Sequence, residues 1–122
     1  MKLKSNERID DLQLDNLKVI QNSKEFCFGI DSVLLSDFAK GAKKHKKIVD
    51  LCTGNGVIAI LLSAKLPKAK EIIGVEIQEY SAELANRSIE LNNLQDKITI
   101  INKDLLKIKK DIESRKYWFS SL

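Results

Sequence analysis

The chain has 122 residues, 43% of them hydrophobic and 31% charged, with 21 Lys and Arg against 17 Asp and Glu and a single His. That is the size and composition of one ordinary globular domain able to bury its own core. No apolar stretch reaches the roughly 18 residues of a membrane span, the N-terminal MKLKSNERIDDL lacks a signal peptide's apolar core, and Cys27 and Cys52 have neither disulfide-framework numbers nor metal-ligand spacing.

Taken in chain order, residues 1–25 mix polar and apolar positions. LQLDNLKVIQ places Leu12, Leu14, Leu17, Val19 and Ile20 in a pattern that fits a strand or a helix. FCFGIDSVLLSDFAKGAKKHKK opens on an apolar turn around Gly29. Asp31 or Ser32 can then cap a helix carrying Val33, Leu34, Leu35, Phe38 and Ala39, with Gly41 to stop it. From Lys46 the chain alternates. KIVDL is a short apolar strand, GVIAILLSAKL a nearly all-apolar helix closed by Pro67, and EIIGVEI a second strand. EYSAELANRSIELNNL has Ala82, Ala85 and Ile89 at helical spacing; KITIIN is a third strand, LLKIKKDIES a short helix and KYWFSS a fourth strand.

Strands alternating with helices make a parallel sheet covered by helices. The right-handed crossover rule makes that sheet doubly wound. The expectation is a Rossmann-like α/β fold in a single domain over 1–122, with a cap region over about 1–45 and a βα core over 46–122. A reducing, cytoplasmic setting and no metal site go with the sparse Cys and His.

Two lysine clusters stand out: Lys43, Lys44, Lys46 and Lys47 around His45, and Lys103, Lys107, Lys109 and Lys110. Such groups attract polyanions through counterion release, but they also simply solvate loops and helix faces. A single-strand binder would interleave aromatic residues. The clusters contain none, and Tyr117, Trp118 and Phe119 fall in the apolar fourth strand.

The segment between first strand and first helix, DLCTGNG, carries the chemistry. Gly54 and Gly56 allow a sharp turn and a close backbone approach to a ligand, and the helix behind offers unpaired N–H groups. Glu76, at the end of the second strand, stands where a carboxylate accepts both hydroxyls of a ribose. Asp104, just past the third strand, can take an adenine amine. Together these point to a nucleoside-containing cofactor. GNGVIA also satisfies the G-x-G-x-x-G/A dinucleotide pattern, so NAD is an alternative. Against it, Asp50 in the turn would repel a pyrophosphate and suit a cationic amino or sulfonium group. S-adenosylmethionine combines adenosine, a ribose diol and such a cation.

VDLCTGNGVIAILL, GVEI and NKDLL resemble, in order, the first three motifs of the class I S-adenosylmethionine-dependent methyltransferases. FCFGIDSVLLSDFA resembles the stretch ahead of the first motif in the bacterial methyltransferases that modify adenine in the anticodon loop of tRNA-Val. The resemblance covers roughly residues 8–110. It implies that Asp50 contacts the methionine end of the cofactor, with Thr53, Gly54 and Gly56 lining it. It also implies that Glu76 holds the ribose, that Ile77 packs on the adenine ring, and that Asp104 with Leu105 frames the adenine. Phe28, Gly29, Ile30 and Asp31 would close over it from the N-terminal side. Cys52 departs from the family's common glycine, so the loop is expected to sit slightly differently.

The resemblance further implies methyl transfer to the exocyclic amine of adenine in tRNA, with protein or small-molecule acceptors as the alternative. The amino-methylating members carry Asn-Pro-Pro-Tyr after the fourth strand, and no such motif follows KYWFSS. No catalytic residue is therefore assigned. The chain is expected to be the cofactor-binding half of such an enzyme, C-terminally incomplete, inactive alone, and with an open sheet edge that a second copy could pair.

Overall fold

The computed structural model describes residues 2–23, 47–51, 53–104 and 118–121, and all structural statements below concern these. Its elements are β1 (Glu7–Asp11), β2 (Lys18–Asn22), β3 (Lys47–Leu51), α1 (Val57–Lys65), β4 (Glu71–Val75), α2 (Glu79–Leu91), β5 (Ile98–Ile101) and β6 (Trp118–Ser121). The helices expected over 33–39 and 105–114 lie outside the described residues.

Four parallel strands form one sheet in the order β5-β4-β3-β6. From β3 the chain steps outward to β4 and β5; β6 then returns to the other side of β3. The strand order thus reverses between β3 and β6, which makes the sheet doubly wound. Ile48, Val49, Ile72 and Val75 are all buried, so consecutive residues of β3 and β4 are enclosed on both faces. Two right-handed crossovers taken in the same direction lay α1 and α2 on one face.

The nine residues of α1 are too few for a helix that must stand alone. Its N-cap, Gly56, supplies no side chain, and its first turn has no acidic residue. Burial holds it instead: Val57 through Ser63 are all enclosed, and each buried Ile or Leu is worth roughly 1.5–3 kcal/mol. That all-round burial needs a cover on the side away from the sheet, which the N-terminal residues provide. Leu12, Leu17 and Val19 join the α1 side chains in one core cluster.

β1 and β2 form an antiparallel hairpin, which resolves the ambiguous segment LQLDNLKVIQ as the hairpin turn over 12–17 followed by strand from Lys18. Gln13, Asp15 and Asn16 take left-handed backbone in its turn. α2 then satisfies the far edge of β2. Ser88 Oγ accepts from Ile20 N at 2.9 Å, and Asn92 Oδ1 accepts from Lys18 N at 2.8 Å. α2 ends at Leu91, short of the expected Leu94, because Asn93 turns left-handed (φ 56) and Leu94 N reaches back to the carbonyl of Ile89.

A buried ion pair locks the hairpin to α2. The Glu7 side chain is fully enclosed. It accepts from both Arg87 terminal nitrogens (2.8 and 3.0 Å), from Tyr80 Oη (2.6 Å) and from Lys4 N (2.8 Å). Led by the Arg87 hydrogen bonds, this surrounding lowers the Glu7 carboxyl to about 2 from its ordinary 4.5. A lowered folded value stabilises the fold above the unfolded value and loses that contribution as pH falls through the folded one. Thermal melts should therefore show the wild-type chain losing more stability than Glu7→Gln between about pH 4.5 and 2. Parallel melting curves for the two proteins would contradict this role for Glu7.

Candidate functional site

The reversal between β3 and β6 puts the candidate site at the carboxyl end of the sheet, where open α/β sheets hold ligands. As the chain leaves β3, Thr53 N donates to the carbonyl of Val75 at 2.8 Å, so the turn begins by continuing the pairing with β4. Gly74 makes room for it: a side-chain carbon there would meet Thr53 Oγ1 and Ile100 Cδ1 at 2.8 Å. Gly54 and Gly56 then take left-handed backbone, at φ 56 and 85. Their reasons differ. A Cβ on Gly54 would meet nothing within 4 Å, whereas one on Gly56 would come within 3.1 Å of Ala85 Cβ. Gly56 therefore seats α1 against α2, while Gly54 leaves its surface open.

Asp50, in β3, is completely buried. Its Oδ2 accepts from Thr53 Oγ1 at 2.7 Å, while Oδ1 has no partner among the described residues. Burial pushes its carboxyl up from 3.8 to about 7; the Thr53 hydrogen bond opposes that shift and the Glu76 charge adds to it. Glu76, one residue past β4, is buried too. Its Oε1 accepts from Gly54 N and its Oε2 from Gln78 N, both at 2.9 Å. One carboxylate thus ties the glycine turn to the start of α2, and each oxygen keeps acceptor capacity for another donor.

Beside Glu76, Ile77 is 64% exposed, an unusual position for a large apolar side chain. Asn102, just past β5, donates to the carbonyls of Glu76 and Ile77 at 2.8 and 3.1 Å and so fixes the backbone beneath that side chain. Asp104 follows at the end of the same strand, partly exposed.

An enclosed carboxylate oxygen without a donor calls for a cation, since leaving it unpaired costs about 1–3 kcal/mol. The open surface at Gly54, the spare acceptor capacity of Glu76 and the exposed Ile77 suit a ligand carrying a diol and a flat apolar ring. These residues fit S-adenosylmethionine. Among the described residues no group of three or more His, Cys, Asp or Glu could hold a metal ion, and no helix is long and apolar enough to cross a membrane.

Of the residues expected at the site, Asp50, Thr53, Gly54, Gly56, Glu76, Ile77 and Asp104 all lie at the carboxyl ends of β3, β4 and β5. Hydrogen bonds join Asp50 to Thr53 and Glu76 to Gly54. Phe28, Gly29, Ile30, Asp31, Cys52 and Leu105 lie outside the described residues. Sequence reasoning passed over Gln78, Asn102 and Asn55. The one signal for Asn55 was a side chain with turn chemistry between two glycines.

A doubly wound parallel sheet with an acidic strand-end site beside a glycine turn is the architecture of class I S-adenosylmethionine-dependent methyltransferases. The chain belongs to the methyltransferase small domain family, which it matches over residues 17–115. Membership implies S-adenosylmethionine as cofactor. The chain is 31% identical over 97 residues to a ribosomal protein L11 methyltransferase of Carboxydothermus hydrogenoformans, covering 75% of this chain and 31% of that one. It is 29% identical over 97 residues to the tRNA1(Val) (adenine(37)-N6)-methyltransferase of Proteus mirabilis, covering 80% and 38%. The chain therefore spans about a third of the length of these curated relatives. The fold is that of a SAM-dependent methyltransferase from Agrobacterium tumefaciens, with a TM-score of 0.69 at 17% identity over 93% of this chain and 38% of that one.

The two glycines of the turn should respond differently to alanine. Gly54→Ala carries the left-handed backbone penalty alone, about 1–2 kcal/mol. Gly56→Ala adds the contact with Ala85, a further overpacking cost of about 1–3 kcal/mol. Denaturant unfolding of both variants checks this, and equal losses would contradict the packing role of Gly56.

Proposed function

We propose that this chain is the cofactor-binding part of an S-adenosylmethionine-dependent methyltransferase whose acceptor is the exocyclic amine of adenine in tRNA. The observation that carries the cofactor reading is the buried Oδ1 of Asp50, without a partner among the described residues, beside a two-glycine turn at the strand-order reversal. In this reading Asp50 takes the cationic methionine end, and Thr53 holds Asp50 in place through its hydroxyl. Glu76 accepts the ribose hydroxyls with the acceptor capacity its two backbone donors leave. Ile77 covers one face of the adenine, and Asp104 meets its amine. Gly54 and Gly56 line the turn; the part proposed for Cys52, Leu105, Phe28, Gly29, Ile30 and Asp31 in holding the cofactor rests on the resemblance of the sequence alone.

When bound, the cofactor supplies a methyl group on a sulfonium carbon. The residues described here bind and orient that group, and the protein that contains them must also hold the acceptor amine in line with it. The Asn-Pro-Pro-Tyr motif that would do so does not occur in this sequence. The 122 residues are accordingly proposed to bind cofactor without transferring methyl groups by themselves. Adenine in tRNA, in a cytoplasmic setting, is favoured by the N-terminal FCFGIDSVLLSDFA stretch and by several tRNA1(Val) (adenine(37)-N6)-methyltransferase relatives. A protein acceptor is the second reading, favoured by similarity to ribosomal protein L11 methyltransferases. The outer edge of β6 is where further strands, or a second copy, would pair.

Calorimetry with S-adenosylmethionine and S-adenosylhomocysteine tests the cofactor, and binding of neither to the folded protein would refute it. Glu76→Ala should weaken binding by about 1–3 kcal/mol, because charge-assisted hydrogen bonds are lost. Asp50 gives the binding a pH dependence. In the free protein its carboxyl takes up a proton as pH falls through about 7, and a cationic ligand requires it ionised. Affinity should rise as pH increases from 5.5 to 7, by up to about tenfold per unit well below the midpoint. Asp50→Asn should flatten that profile; an unchanged slope in the variant would remove Asp50 from the ligand.

A further inference from the structure

Gln21 stands out as a buried amide in an otherwise apolar stretch. It is 1% exposed and follows Val19 and Ile20, which are wholly buried. Burying an amide is unfavourable unless its donor and acceptor both find partners. Gln21 finds them in two different parts of the fold. Its Nε2 donates to Asp10 Oδ2 at 2.5 Å across the hairpin, and its Oε1 accepts from Asn55 Nδ2 at 3.4 Å in the glycine turn. Asn55 in turn uses its Oδ1 to accept from Val57 N, the first N–H of α1, at 3.3 Å.

The direction of this chain of hydrogen bonds is set at one end. Both oxygens of Asp10 accept from Arg8 Nε, at 3.1 and 3.0 Å, so Oδ2 faces Gln21 as an acceptor as well. That forces the Gln21 amide to present its NH2 to Asp10 and its oxygen to Asn55. Facing an acceptor, Asn55 must present its own NH2 to Gln21, which leaves its oxygen toward Val57 N. The carboxylate on β1 therefore decides which way the Asn55 amide points between Gly54 and Gly56. Gly56 has no side chain with which to cap α1, so Asn55 takes over that task.

We propose that Gln21 is a positioning residue for the cofactor turn, passing the polarity of Asp10 to Asn55 so that Gly54–Gly56 is held ready before the ligand arrives. The proposal rests on the reading above that this turn holds S-adenosylmethionine. The N-terminal hairpin then has a second task besides covering α1: it preorganises the binding loop. Preorganisation of this kind appears as affinity, because the loop need not be ordered on binding.

The test compares Gln21→Met, which keeps volume and burial but ends the relay, with Val19→Ala, which weakens hairpin packing and leaves the relay intact. Amide exchange in the ligand-free protein is read first. Exchange at Gly56 and Val57 should speed up in Gln21→Met and stay at the wild-type rate in Val19→Ala, after matching for global stability. S-adenosylhomocysteine affinity is read second and should fall about fivefold in Gln21→Met, the worth of one hydrogen bond, with no change in Val19→Ala. Wild-type exchange rates in Gln21→Met, or equal effects in the two variants, would overturn the proposal. If the wild-type chain bound no S-adenosylhomocysteine, the cofactor reading would fail, and the exchange comparison would still decide whether Gln21 orders the turn.

Discussion

The carboxylate of Glu76 is the interaction on which the site depends. Its two oxygens take the N–H groups of Gly54 and Gln78, so one buried negative charge joins the turn after β3, the end of β4 and the start of α2. Charge-assisted hydrogen bonds are about twice as strong as neutral ones, and this pair acts where two left-handed glycines would otherwise leave the backbone loose. The rest follows from that tie. With the turn drawn over β4, Thr53 reaches both the Val75 carbonyl and Asp50, and Gly74 has to be small to let it pass.

The same arrangement explains why two acids can share so small a space. Among the described residues Glu76 has two backbone donors, whereas Asp50 has one hydroxyl and an oxygen without a donor. Burial raises the Asp50 carboxyl to about 7. In the proposed reading a cation completes Asp50 and neutral donors complete Glu76, which divides the charged and the sugar ends of an S-adenosylmethionine-like ligand between the two strands; the chain belongs to the methyltransferase small domain family.

Much of this was legible in the sequence, because it rests on local rules. β3 and β4 read as short apolar runs since these parallel strands are enclosed on both faces, and α2 read as a helix because Ala82, Ala85 and Ile89 share its inner face. Asp50, Gly54, Gly56 and Glu76 were found from spacing around a strand-turn-helix junction. The hairpin was not legible. Val19, Ile20 and Gln21 are buried in succession, so β2 shows no alternation, and its edge is satisfied by Ser88 and Asn92 from 68 and 74 positions away. No local pattern announces such a partner. The relay through Gln21 and Asn55 was hidden for the same reason, as its links span 11 and 34 positions.

Mapping the ligand's footprint by amide chemical shifts tests the central claim most directly. Titration of the labelled chain with S-adenosylhomocysteine should perturb Gly54, Gly56, Ile77, Gln78 and the residues around Asn102 and Asp104, all at the carboxyl ends of β3, β4 and β5. It should leave the opposite end of the sheet, at Lys65–Ala69 and Lys97, unchanged. Perturbations centred on that opposite end, or on the hairpin alone, would contradict a cofactor site at the strand-order reversal.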